Sequence, residues 1–198
     1  LMAENRQNSK RFAAKKYNAG APETDNYGHL QPQVPELEKV VLGALMIEKD
    51  AYPIVSEILR PESFYEPRHQ KIYEAIRRLS IAQKPVDILT VTEELNAMGN
   101  LDDVGGPVYI SQLSGMVASA AHLEYHARLI AQKFLARELI AYTGRIQNKA
   151  FDATQDVDEL MQTAEGELFE ISQQNLKKDY TQIDPVIGQA IEQIQAAA

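Results

Sequence analysis

The apolar residues of this chain recur at spacings of three and four, and no stretch alternates apolar and polar residues for long enough to form a sheet. This pattern predicts an all-α fold. Pro35 suits the first turn of a helix, and the apolar periodicity that starts at Leu37 predicts a helix closing near Asp50. A short second helix is predicted from Tyr52 to Leu59.

Prolines and glycines mark the turns that follow these two helices. A proline-bracketed turn at residues 61–67 leads to a predicted third helix that ends near Ser80. Thr90 or Thr92 is predicted to cap a fourth helix, and Gly99 supplies the left-handed residue that ends it. Residues 34–118 are therefore expected to form a globule of short helices joined by tight turns.

The second half of the chain predicts a long antiparallel helical hairpin. Its helices are expected at about 120–149 and 156–174, and Asp156 with Glu159 resembles a capping box at the start of the second. The apolar stripe of the first helix turns midway by about 110°, since successive residues are about 100° apart. That helix therefore faces two different bodies. One stripe holds Leu123, Ala127, Ile130 and Phe134, and the other holds Leu135, Leu139, Tyr142 and Ile146.

The hairpin has more apolar surface than two helices can bury against each other. The second helix offers a matching stripe, but each large apolar side chain left in water forgoes roughly 1.5 to 3 kcal/mol. Packing of the hairpin against another subunit would bury this surface, and folding of the hairpin back onto its own globule is the open alternative. The residues predicted for a subunit or partner interface are Leu135, Leu139, Tyr142, Ile146, Leu160, Met161, Leu168 and Ile171.

The two ends of the chain are expected to lie outside both bodies. Residues 1–33 are polar and predict a disordered tail, whose cluster of basic residues at 10–16 is expected to be solvated. The hairpin, assigned to 119–176, is followed by a linker at 177–198 containing a short amphipathic helix. That helix is expected to dock on a missing motor domain or a neighbouring subunit, through Val186, Ile187, Ile191 and Ile194.

Composition narrows the class of protein. The chain has no cysteine, which excludes disulfides and thiolate metal sites, and its longest apolar run, at 40–47, is too short for a membrane span. The net charge of −8 conceals a basic start, because five basic residues and one Glu within residues 1–20 leave −12 on the remainder. An acidic body repels nucleic-acid phosphates. A soluble, cytoplasmic protein without membrane contact is expected.

No arrangement of residues predicts an active site. The chain has no Gly-rich phosphate loop, and Gly105-Gly106 lacks the accompanying lysine, so this pair is interpreted as the turn that opens a fifth helix. His122 and His126 lie one helical turn apart but have no third ligand, so no metal site is predicted. Catalytic, cofactor-binding and metal-ligating residues are all expected to be absent, which favours a helical interaction module over an enzyme.

Five ordered strings resemble the N-terminal domain of bacterial replicative helicases of the DnaB family, and the hairpin follows them as it does in that family. The strings are EKVVLGAL at 38–45, LRPESFY at 59–65, HQKIYEAI at 69–76, KPVDILTV at 84–91 and GGPVYI at 105–110. The resemblance extends to about Ser172. It departs from the family near residue 118, where Ala118 and His122 replace the usual proline and asparagine.

The resemblance implies a collar domain that ends before the ATPase motor. In that family the hairpins pair subunits, and a trimer of dimers stacks on the motor ring. It also implies binding of the C-terminal domain of primase, with the helicase loader as a further candidate partner. ATP, magnesium and most DNA contacts would belong to the motor of the parent helicase. The alternative is the helicase-binding domain of a primase, or another helical adaptor of the primosome.

Overall fold

The computed structural model describes residues 29–117 and 122–176, and the regular elements within these ranges are helical. The predicted all-α fold is therefore confirmed. Most of the predicted tail and the whole linker, with Val186, Ile187, Ile191 and Ile194, lie outside the described residues. The elements are α1 (Pro35–Ile47), α2 (Ala51–Ser56), a 3-10 turn (Pro61–Ser63), α3 (Pro67–Ile81), α4 (Ile88–Ala97), α5 (Gly106–Gly115), α6 (Leu123–Ala150) and α7 (Val157–Leu176).

The globule is built around α1, which packs against α3, α5 and the first turns of α6. Gly43 allows α1 and α5 to approach closely, because a Cβ at this position would stand only 2.2 Å from the carbonyl oxygen of Leu113. The apolar periodicity predicted from the sequence becomes the core. Its most buried side chains include Val41, Leu42, Leu45, Phe64, Ile72, Tyr73, Ile76, Val91, Leu95, Ile110 and Leu113.

The start of α4 differs from the prediction. Neither Thr90 nor Thr92 caps the helix, because Asp87 takes this role and α4 begins at Ile88. The Asp87 carboxylate accepts the Thr90 backbone N–H at 2.9 Å, while the Thr90 hydroxyl accepts the Asp87 N–H at 3.0 Å. This reciprocal pair satisfies two N–H groups that the helix itself cannot. The predicted stop at Gly99 is confirmed by its φ of +69°.

Helices α6 and α7 form the predicted antiparallel hairpin. The first turns of α6 pack against the globule, since Leu123, Ala127 and Ile130 are buried and α6 contacts α1. His122 stands at the N-cap of α6 without a side-chain hydrogen bond to the helix. The Asp156 carboxylate accepts the backbone N–H of Glu159 at 3.0 Å, which caps α7 at the position that the sequence indicates. The hairpin therefore projects from the globule as an extension of it.

Candidate interaction surface

The hairpin has no buried interior of its own beyond the globule. From residue 131 to residue 173, every side chain that the structure describes is at least partly exposed to solvent. The burial of α6 thus ends at Ile130, where the helix leaves the globule. Two helices in contact have only one face each to cover, so the rest of their apolar surface stays in water.

The second stripe of α6 faces α7. The Tyr142 hydroxyl donates a hydrogen bond to the carbonyl oxygen of Ala164 at 2.9 Å, which joins the middle of the two helices. On α7, Leu160, Ala164 and Ile171 share one face at spacings of four and seven, and all three are half-buried. Part of the predicted interface is thus contact within the hairpin. The predicted residues that are half-buried are Leu135, Tyr142, Ile146, Leu160 and Ile171.

The other three predicted interface residues are exposed. Leu139 is 39% exposed, Met161 56% and Leu168 43%. Met161 and Leu168 are seven residues apart, so they share one face of α7, and Val157 falls on the same face four residues before Met161. We call Leu139, Val157, Met161 and Leu168 the open apolar side of the hairpin. Val157 belongs to the apolar stripe predicted for the second helix but is not among the predicted interface residues, and neither are the exposed Ile140, Phe151 and Phe169.

Ion pairs between Glu167 of α7 and two basic residues of α6 join the two helices. Glu167 accepts from Arg145 at 3.0 Å and lies 3.4 Å from Lys149. The hydrogen bond from Arg145 holds the pKa of the Glu167 carboxyl below its ordinary value, and the Lys149 ammonium contributes in the same direction. Arg145 is exposed and the other two side chains are partly exposed, so solvent screens these ion pairs, and they orient α7 more than they stabilise it.

A cleft of about 220 Å³ lies at the foot of the hairpin, between the segment that follows α2 and the two hairpin helices. Leu135 and Ile171 line it from α6 and α7, and Leu59 lines it from the globule. The Arg60 guanidinium stands over the Phe134 ring at 4.9 Å from its centre. The cleft marks the junction between the globule and the hairpin.

A buried polar cluster ties three helices of the globule together. Glu38 is 1% exposed, and its carboxylate lies 2.6 Å from Nδ1 of His69, which is fully buried. The Nε2 of His69 lies 2.7 Å from the Tyr109 hydroxyl. The cluster was not predicted from the sequence. A signal was available, since Glu38 precedes Val41 and Leu42 by three and four residues and therefore falls on the buried face of α1.

The two histidines considered as metal ligands remain close in space. The rings of His122 and His126 are 6.4 Å apart between centres. Within residues 29–117 and 122–176, no cluster of three or more candidate metal ligands is found. No helix within these ranges is both long enough and apolar enough to cross a membrane.

Comparison with known proteins gives consistent matches. The family model described as DnaB-like helicase N terminal domain matches residues 30–132. The replicative DNA helicase DnaB of Rhodothermus marinus is 44% identical over 85% of this chain, and that of Geobacillus stearothermophilus is 36% identical over 84%. The alignments cover 18% and 37% of those two proteins, so the chain spans well under half of their length.

Solved structures of DnaB-type helicases have the same fold as this chain. The crystal structure of the N-terminal domain of DnaB helicase from Mycobacterium tuberculosis superposes with a TM-score of 0.67 at 36% identity, covering 70% of this chain and 98% of that domain. The structure of a DnaB-like replicative helicase and its interactions with primase gives a TM-score of 0.59 at 24% identity, covering 76% of this chain and 35% of that one. The second likeness concerns the fold alone.

Proposed function

This chain belongs to the DnaB-like helicase N-terminal domain family, and we propose that it acts as the collar of a replicative DNA helicase, pairing subunits through its hairpin. The family match favours this role over the alternative of a primase helicase-binding domain. The observation that carries the proposal is the open apolar side of the hairpin. It lies on the part of the chain that the globule does not cover.

The energy available at this surface supports dimerisation. Leu139, Met161 and Leu168 are 39–56% exposed. Covering each of them contributes about 0.6 to 1.7 kcal/mol, because full burial of such a side chain is worth about 1.5 to 3 kcal/mol. A twofold interface uses the same surface on both subunits, so each contribution counts twice.

Leu168→Asp tests the proposal. The substitution removes about 1 kcal/mol of apolar burial from each subunit, or about 2 kcal/mol for a symmetric dimer. We therefore expect the dimer dissociation constant to rise about 30-fold, at roughly 1.4 kcal/mol per factor of ten. The measurement is molar mass against concentration, by sedimentation equilibrium or light scattering. The far-ultraviolet circular dichroism of the variant should match the wild type.

Gln162→Asp is the matched control. It adds the same carboxylate to α7, at an exposed position about 120° around the helix from Leu168. This variant should dimerise like the wild type. If both variants weaken dimerisation equally, the effect is one of charge in general and not of the open apolar side. If the wild-type chain stays monomeric at every concentration, the hairpin is not sufficient to pair two subunits, and the proposal is refuted for this chain.

We further infer that the collar binds the C-terminal domain of primase. Family membership supports this inference, and the DnaB-like helicase solved with primase has the same fold. Titration of the cognate primase domain into this chain should give saturable heat with a defined stoichiometry. The hairpin dimer and primase binding are separate claims, so an absence of heat at high micromolar concentration would refute only the second.

For the parent protein, we propose ATP-dependent unwinding of DNA at the replication fork in the cytoplasm. The matched relatives extend far beyond the region that this chain covers and are named replicative helicases. ATP, magnesium, the helicase loader and most contacts with DNA are assigned by this proposal to the whole hexamer. The collar contributes subunit pairing and no catalytic group.

A further inference from the structure

The turn between α2 and α3 is held from the globule side by Glu38. The Glu38 carboxylate accepts the backbone N–H of Tyr65 at 2.6 Å and that of Glu66 at 3.4 Å. The bonded residues are 27 and 28 positions apart in the sequence. The bonds are therefore tertiary contacts that hold the turn against α1. A buried carboxylate with several N–H donors makes a strong, directional attachment.

Arg137 of α6 bonds the same turn. Its guanidinium donates to the carbonyl oxygen of Ser63 at 2.8 Å and to that of Pro32, also at 2.8 Å. Its centre stands 5.5 Å from the middle of the Tyr65 ring and 5.6 Å from that of Phe134. One side chain thus connects the hairpin to the 3-10 turn of the globule and to the segment that precedes α1.

The guanidinium suits this position for a chemical reason. Its planar fork presents several N–H donors in fixed directions, so it can bond two carbonyls and stack on rings at the same time. Burial lowers the pKa of Arg137, although Glu38 and Tyr65 act in the opposite direction. The side chain is half-buried, at the point where α6 leaves the globule.

The other two arginines of α6 bond within the hairpin. Arg128 bonds Glu124 on its own helix, one turn away, and Arg145 bonds Glu167 on α7. Both pairs are internal to the hairpin. Arg137 therefore differs from them in partner and in position, and Arg128 provides a natural control.

We propose that Arg137 is a positioning residue that fixes the angle between the hairpin and the globule, while Glu38 holds the same turn, at 63–66, to α1. The hairpin extends from Leu123 to Leu176, and a small rotation at its foot moves its far end by a large distance. The angle sets where the open apolar side of the hairpin lies relative to the globule. That consequence rests on the proposed function, whereas the angle itself is measured without dimerisation.

Distances between spin labels test this proposal. The chain has no cysteine, so Lys49→Cys and Ala153→Cys can place single labels at exposed positions on the globule and at the hairpin tip. Labelled chains are diluted in an excess of unlabelled chains, which leaves only distances within one protomer. In chains that keep Arg137, the distance between the two labels should have one narrow distribution. Arg137→Ala should broaden or shift that distance, while Arg128→Ala should leave it unchanged.

Arg137→Lys keeps the charge but loses the fork, and we expect it to broaden the distance as well. If Arg137→Ala does not fold, Arg137→Lys still tests whether Arg137 fixes the angle of the hairpin. A second label pair within the globule, at Lys49 and Lys84, should be unaffected by either variant. An unchanged tip distance in a folded Arg137 variant would overturn the proposal, as would equal broadening of the pair within the globule. Neither result depends on whether the chain dimerises.

Discussion

Replacing the buried carboxylate of α1 by Glu38→Ala should destabilise the globule strongly. Glu38 is 1% exposed and receives hydrogen bonds from the Tyr65 backbone and the His69 ring, both at 2.6 Å. Truncation leaves the buried His69 ring and the partly buried Tyr65 N–H without this acceptor. An alanine at position 38 supplies no polar atom to replace it.

The magnitude follows from the two short bonds. A hydrogen bond to a charged group contributes about 1.5 to 3 kcal/mol, so their loss costs about 3 to 6 kcal/mol. The carboxylate no longer has to be desolvated in the variant, which offsets part of this loss. We expect about 3 to 5 kcal/mol, a large share of the roughly 5 to 15 kcal/mol that stabilises an ordinary domain.

Urea unfolding followed by circular dichroism at constant pH measures this loss. Glu36→Ala is the matched control, since Glu36 is in the first turn of the same helix, its side chain is 79% exposed, and its partner is Lys39 three residues on. An exposed pair of this kind is worth about 1 kcal/mol or less. A loss below about 1 kcal/mol for Glu38→Ala, equal to that of the control, would refute the reasoning.

Two further substitutions test other contacts. Gly43→Ala should destabilise the chain by about 1 to 3 kcal/mol in the same urea assay, because its Cβ would meet the Leu113 carbonyl oxygen and force α1 and α5 apart; wild-type stability would refute the close approach. Glu167 has a lowered pKa through Arg145, so its stabilisation of the hairpin is full above the ordinary carboxyl pKa and is lost as pH falls through the lowered one. The protection factors of α7 amides, which compare each measured exchange rate with the intrinsic rate at the same pH, should therefore fall in acid, and Glu167→Gln should remove that acid-dependent fall.

The helices could be predicted because their determinants are local. Apolar spacing, Pro35, Gly99 and Asp156 each act within one or two turns, so the sequence contains the whole signal. The error at α4 has the same local character. Asp87 and Thr90 are both good capping residues at a spacing of three, and the aspartate becomes the cap because Thr90 completes the reciprocal bond as its N3 partner.

The polar connections could not be predicted because they join distant parts of the chain. Arg137 reaches residues 74 and 105 positions away, and His69 meets Tyr109 across 40 positions. Nothing in the local sequence around Arg137 distinguishes it from Arg128, which only bonds its own helix. Such contacts are determined by how the helices pack, which follows from the complete core.

Less of the apolar surface of α6 is available to a partner than the sequence predicts. Its first stripe is covered by its own globule, so the burial of Leu123 and Ile130 says nothing about another subunit. Its second stripe is partly covered by α7, as the bond from Tyr142 shows. The case for a partner therefore depends on the apolar residues that neither body covers. Because Leu139 and Leu168 belong to that remainder and Tyr142 does not, substitutions at the two leucines should weaken pairing, whereas Tyr142→Phe should alter contact within the hairpin.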